Sequence, residues 1–241
     1  MTNQTCKLCL ETKELRKSHI FPEFLYKPLY DENHQYKVLI TKNDPKDRFK
    51  GIYEKLFCEN CEAILGEYED YAAKNLFINP LLESEIKRTD TGFVINDLDY
   101  SKLKLFQLSL LWRPSLTIRN EVRRINLGPH AEKIRKMLLE GNPGRYFEYG
   151  CSISYLPNRP DLLRGVIIPP HPLEERIEGH RGFRIFISGY FWIYITSSHT
   201  EQYSMKPLFL NEDGTLPIFN SNSMGWNFMI KWARELESAQ L

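Results

Sequence analysis

The chain has no surplus of charge of either sign: its 241 residues carry 32 Lys and Arg against 31 Asp and Glu, a net charge of +1. A global basic field that would draw it to nucleic acid or to anionic lipid is excluded, so any anion-binding surface must be local. Long apolar runs are missing as well. The best candidate, Ile185 to Thr200, is interrupted by Ser188, Gly189, Ser197 and Ser198, whereas a membrane span needs about 18 to 20 apolar residues, so no membrane association is expected. The opening MTNQTCKLCL lacks a charged region followed by an apolar one, which argues against a secretory signal and sets the reducing cytoplasm as the expected compartment. There is no internal repeat, Gly/Ser linker or low-complexity tract. Nor is there a nucleophile elbow, a phosphate-binding glycine loop or a histidine pair at metal spacing. The scattered His34, His171, His180 and His199 are expected in loops. What remains is ordinary globular composition, 42% hydrophobic and 26% charged, in a length that allows one large domain or two small ones.

Cysteine is scarce but patterned. Four of the five form two C-x-x-C pairs, Cys6/Cys9 and Cys58/Cys61, with 48 residues between Cys9 and Cys58. A two-residue gap lets both sulfurs of a pair reach one ion, and four thiolates at about 2.3 Å make a closed tetrahedral zinc site. Dithiol redox motifs or secreted disulfides are the alternatives, and neither the local sequence nor the expected compartment favours them. Cys151, alone in an apolar stretch, reads as a buried core thiol. After Cys61 the residues Leu65, Tyr68 and Ala72 recur at spacings of three and four, which predicts a helix with an apolar stripe facing the zinc core. A knuckle with one cysteine pair, a β-hairpin and a second pair at a helix N-terminus is the layout of a treble clef.

Between the pairs lies Ser18-His19-Ile20-Phe21-Pro22. With it, residues 6 to 75 resemble the zinc-bearing branch of the HNH, or ββα-metal, nucleases, in which a C-x-x-C precedes an Asp-His-Ile-x-Pro-like strand and a second C-x-x-C leads into the helix of the active site. The resemblance implies a structural zinc on Cys6, Cys9, Cys58 and Cys61. It also implies cleavage of DNA, including a bacterial or phage-related defence role, with His19 deprotonating a water and Glu62 helping to hold Mg²⁺ or Mn²⁺. The residue types suit those roles, since imidazole titrates near neutral pH and a carboxylate offers the hard oxygen these ions prefer. The chain departs from the family pattern at Ser18, where Asp is usual, at Glu62, where His or Asn is common, and at Tyr53, where the middle Asn tends to fall. Glu69 and Glu67, on the helix with Glu62, are candidates to rebuild the metal site, positions seven apart sharing a face. A second reading stays open: His19 bonds a backbone carbonyl or caps the knuckle, the acids form a solvated helix face, and the module is non-catalytic, binding nucleic acid or a protein partner through a zinc-stabilised surface.

Two local basic clusters are candidates for contacting a nucleic-acid backbone. One is the long stretch before Phe57, with Lys46, Arg48 and Lys50; the other spans Arg119, Arg123, Arg124, Lys133, Arg135 and Lys136, six cations against Glu121 and Glu132. Solvated surface is the alternative for each. From Asp99 the pattern predicts a buried helix ending at Arg113-Pro114, a second helix from His130 to Glu140, and strands at 146–155, 164–168, 183–188 and 190–196, closed by a helix carrying Trp226, Met229, Ile230 and Ala233. The expected fold is therefore α+β: a zinc-bound, HNH-like treble clef over residues 1–94, followed by a larger α+β domain of unassigned role over 95–241.

Overall fold

In the computed structural model the helix predicted after Asp99 is the centre of the molecule. The structure describes residues 4–30, 32, 35–39, 45–49, 51–78, 91–119, 122, 124–156, 166–199 and 201–221, with 35–39 and 45–49 described by backbone alone. Helix α2, Tyr100–Trp112, begins where the Asp99 carboxylate accepts a hydrogen bond from the Lys102 amide at 3.0 Å, and every residue from Leu103 to Trp112 is buried. An N-cap of this type satisfies one of the amides that the first helical turn leaves unpaired. Burial on all sides follows from position, because α2 packs against α1, Glu59–Ala72, and against α3, His130–Glu140. Helix α1 hides Cys61, Leu65, Tyr68 and Ala72, the stripe expected from the spacing, and continues as a π-helical turn, Ala73–Ile78. Helix α3 ends at Gly141, whose φ of 63° is the left-handed cap that glycine adopts without strain.

The N-terminal module is built from short strands. β1, Gln4–Thr5, pairs with β2, Thr12–Lys13, around the first cysteine pair, and β3, Leu15–His19, pairs antiparallel with β6, Tyr53–Cys58, which runs straight into α1. The long intervening stretch contains its own hairpin, β4, Gln35–Leu39, with β5, Pro45–Phe49.

The rest of the strands form one mixed six-stranded sheet. β7, Gly92–Ile95; β8, Cys151–Tyr155; β9, Ile167–Pro172; β10, Gly182–Ile187; β11, Tyr190–Ile195; and β12, Leu216–Asn220, lie in the order β7-β12-β8-β11-β10-β9. All neighbours are antiparallel except β12 and β8. The apolar run Phe191 to Ile195 is indeed an interior strand, paired on both sides. Ser188 and Gly189, both at positive φ, make the two-residue turn into it. β9 runs on through Pro169, Pro170 and Pro172, which an edge strand tolerates because one side of its backbone needs no ladder bonds. The fold is α+β, as expected. The predicted strand over 146–155 begins only at Cys151, since Arg145 to Tyr149 is a turn. The predicted closing helix lies outside the described residues. One cluster of buried side chains runs from Cys6 through α2 to Ile218, and β7, at the expected 94/95 boundary, belongs to the large sheet.

Candidate metal centre and the residues beside it

The two cysteine pairs meet. The Sγ atoms of Cys6, Cys9, Cys58 and Cys61 all lie within 4.8 Å of one another, and Cys9 and Cys58 are 3.9 Å apart. Ligand arms of about 2.3 Å give a tetrahedron with edges of about 3.8 Å, so the group fits a single ion held by four thiolates. Local structure explains the convergence. The knuckle closes through the Cys6 amide on the Glu11 carbonyl and the Leu10 amide on the Cys6 carbonyl, each 2.9 Å, with Leu10 at φ 65°. The Lys7 amide donates to the Leu56 carbonyl at 2.9 Å, which fixes the knuckle on β6, and Cys58 is the N-cap of α1, so Cys61 projects from its first turn.

The electrostatics at this point are divided, with the Cys6 thiol lowered and those of Cys9 and Cys61 raised. Burial raises the Cys6 thiol, but amides of Cys58, Cys9 and Leu8 directed at its sulfur outweigh that and bring it down to about 7; the Cys58 amide is 3.4 Å away. Cys61 is pushed far up, first by burial and then by its sulfur neighbours. Four adjacent thiolates repel one another, and a cation among them removes both obstacles. The four cysteines could hold a metal ion, and they stand in the arrangement that the spacing predicts.

Beside this centre the end of β3 meets the first turn of α1. Ser18 is fully buried; its Oγ accepts a hydrogen bond from the Phe57 amide at 3.1 Å, leaving the hydroxyl proton for Glu62. Burial raises the Glu62 carboxyl, opposed by the Ser18 hydrogen bond and by the charges of Arg113 and His19, and its Oε1 is buried without a hydrogen-bond partner. His19 is half-buried, its ring 6.3 Å from that of Tyr26 and 6.2 Å edge-on to that of Tyr53. Gly51, at φ 79°, makes room for this packing: a Cβ there would stand 2.9 Å from both the His19 and the Tyr26 rings. Ser18 and Glu62 thus meet on the core side of β3, and His19 and Tyr53 on its opposite face.

Arg113 is the residue that sequence reasoning missed. Expected only as a helix stop, it is 2% exposed and donates to the His19 carbonyl at 3.0 Å, ion-pairs with Glu69 and lies 5.9 Å over the Phe57 ring. Phe57 stacks in turn on Trp112 at 5.7 Å. Glu69, a candidate ligand by its spacing from Glu62, is therefore engaged by a guanidinium. Glu67 is exposed.

Among the described residues the basic candidates differ in placement. Arg135 is buried against Leu8, whose carbonyl accepts from its guanidinium, and pairs with Glu132 at 2.7 Å, so it braces the knuckle on α3. Arg124 is exposed, its Nε donating to the Ser115 carbonyl at 3.2 Å, and Arg119 is exposed nearby. Lys46 and Arg48 lie in β5, placed by backbone alone; Lys50 and Arg123 lie outside the described residues. Among the described residues no helix is long and apolar enough to cross a membrane. No family model matches the chain, and neither a curated protein nor a solved structure matches it significantly.

Proposed function

We propose that the chain is an HNH-like nuclease that cleaves DNA in the reducing cytoplasm, held together at its N-terminus by a structural zinc on Cys6, Cys9, Cys58 and Cys61. The observation that carries this reading is the buried, unpartnered Oε1 of Glu62 beside Ser18 and His19. A buried carboxylate oxygen left without a donor is costly unless something outside the protein satisfies it. Glu62, helped by the Ser18 hydroxyl, would hold Mg²⁺ or Mn²⁺. When bound, that ion would neutralise charge on the phosphoryl group in flight. His19 takes the proton from a water whose oxygen forms the new bond to phosphorus; the bond from phosphorus to the leaving sugar oxygen breaks, and that oxygen is reprotonated from solvent. Tyr53 and Tyr26 fix the imidazole plane, and Arg113 fixes the backbone that carries it.

The Arg113–Glu69 pair favours a second reading. A guanidinium already neutralises the acidic side of the site, which suits a non-catalytic zinc-stabilised module that binds nucleic acid or a protein partner. Cleavage assays separate the two. His19→Ala should lower a Mg²⁺- or Mn²⁺-dependent DNA cleavage rate by about 10² to 10⁴ while zinc content and melting temperature stay unchanged. Equal rates for wild type and His19→Ala, or no cleavage by wild type with any divalent ion, would leave the second reading standing.

A further inference from the structure

We propose that the exposed face of the β3–β6 pair is a binding site for the phosphate backbone of duplex DNA, with Lys17 and Lys55 as the phosphate contacts and Tyr53 as the surface against which the strand lies. The strand register puts Lys17 directly opposite Lys55 and His19 directly opposite Tyr53. Residues paired across an antiparallel ladder point to the same face, as do residues two apart on one strand, so these four side chains share one surface. Ser18, between Lys17 and His19, points the other way into the core.

The surface is open: Lys17 and Lys55 are exposed and Tyr53 is 37% exposed. Like charges directly opposite one another destabilise a strand pair. Neither lysine has a carboxylate partner among the described residues, although elsewhere on the module exposed cations do pair, as Arg16 does with Glu59 at 3.1 Å. The Lys17 ammonium instead lies 5.1 Å from the Tyr53 ring centroid, a cation–π contact that holds it on this face rather than letting it swing into solvent. Two unneutralised ammonium groups, an aromatic surface and the edge of His19 at one end form a short track whose charge complements consecutive phosphates of a single strand. The inference rests on the nuclease reading, because a scissile phosphate at His19 requires its neighbours to cross this face.

The test is binding rather than cleavage. Zinc-loaded full-length protein without added Mg²⁺ or Mn²⁺ is titrated against a fluorescein-labelled duplex over a range of NaCl concentrations. Lys17→Gln and Lys55→Gln should each reduce the slope of log K against log salt by about 0.9, and the double variant by about 1.8. Across a fourfold rise in salt, wild-type affinity should therefore fall roughly tenfold more than that of the double variant. Duplex binding by wild type with this slope, but no Mg²⁺- or Mn²⁺-dependent cleavage, would mark a failed nuclease reading with the binding site intact. An unchanged slope in the two single variants, absence of duplex binding by wild type at low salt, or equal competition by poly-glutamate would overturn the proposal.

Discussion

Among single residues, Lys104 carries the clearest consequence for solution behaviour. It sits on α2, fully buried, donating to the Tyr149 carbonyl at 3.1 Å and more weakly to that of Tyr146 at 3.4 Å. Burial lowers its ammonium to about 8, against an ordinary 10.5, partly offset by the neighbouring Cys151 and Glu148. Between those values the unfolded chain holds a proton that the folded chain has released, so stability rises with pH from about 8 to about 10.5. The difference is worth about 3 kcal/mol. Cys151, pushed up to about 12 by burial, stays protonated through that window. Urea unfolding of wild type and Lys104→Met at several pH values should show the wild-type curve gaining stability over the variant's as the solution becomes alkaline. Parallel curves would mean that the Lys104 ammonium titrates alike in the folded and unfolded chains. Residue-scale legibility was uneven. The convergence of the cysteines is readable because two-residue gaps suit shared ligation. Arg113 has no such signal, since its partners His19 and Glu69 are 94 and 44 residues away.

At the scale of elements, α1 depends on what stands at its start. Its N-cap is Cys58, with no side-chain capping bond, and Gly66 sits mid-helix, so its stability derives from packing and from the sulfur centre rather than from propensity. Structural zinc contributes about 10 to 16 kcal/mol in small modules. Cys58→Ser, or treatment with a strong chelator, should therefore release one zinc and open the amides of α1 and β6 to hydrogen exchange, while those of β8, β10 and β11 stay protected. Protection of α1 undiminished after zinc loss would show that the helix stands on packing alone. The three helices were legible because periodicity and termini agree: Asp99 caps α2, Arg113-Pro114 stops it and Gly141 ends α3. β7 and β12 were not. Each is short, β12 contains Pro217, and the pairing of Phe93 with Ile218 and of Ile153 with Ile218 joins segments far apart in the chain, so the pattern within either strand carries no trace of its partner.

Across the whole molecule, the later helices complete the N-terminal module. Arg113 reaches the His19 carbonyl, Arg135 the Leu8 carbonyl, and the Thr117 hydroxyl donates to Glu54 at 2.8 Å. These three contacts hold the end of β3, the knuckle and β6 against one hydrophobic cluster that continues into the six-stranded sheet. Two of the cations that made up the basic sequence cluster thereby differ in role: Arg135 is a buried brace, and Arg124 is on the surface. Charge counting along a sequence registers both alike, because the turn before α3 and the burial of its inner face decide which way each side chain points. The α+β class and the cysteine centre were legible, while the bond from Arg113 to the His19 carbonyl belongs to tertiary packing.

The proposed nuclease reading requires a second, catalytic cation at Glu62, beside the cysteine centre. Anomalous diffraction from crystals of the zinc-loaded protein soaked in Mn²⁺ tests it most directly. The expected result is zinc among Cys6, Cys9, Cys58 and Cys61 and a separate manganese peak contacting Glu62 near His19. Zinc alone, with Glu62 uncontacted and Arg113 still paired to Glu69, would contradict it.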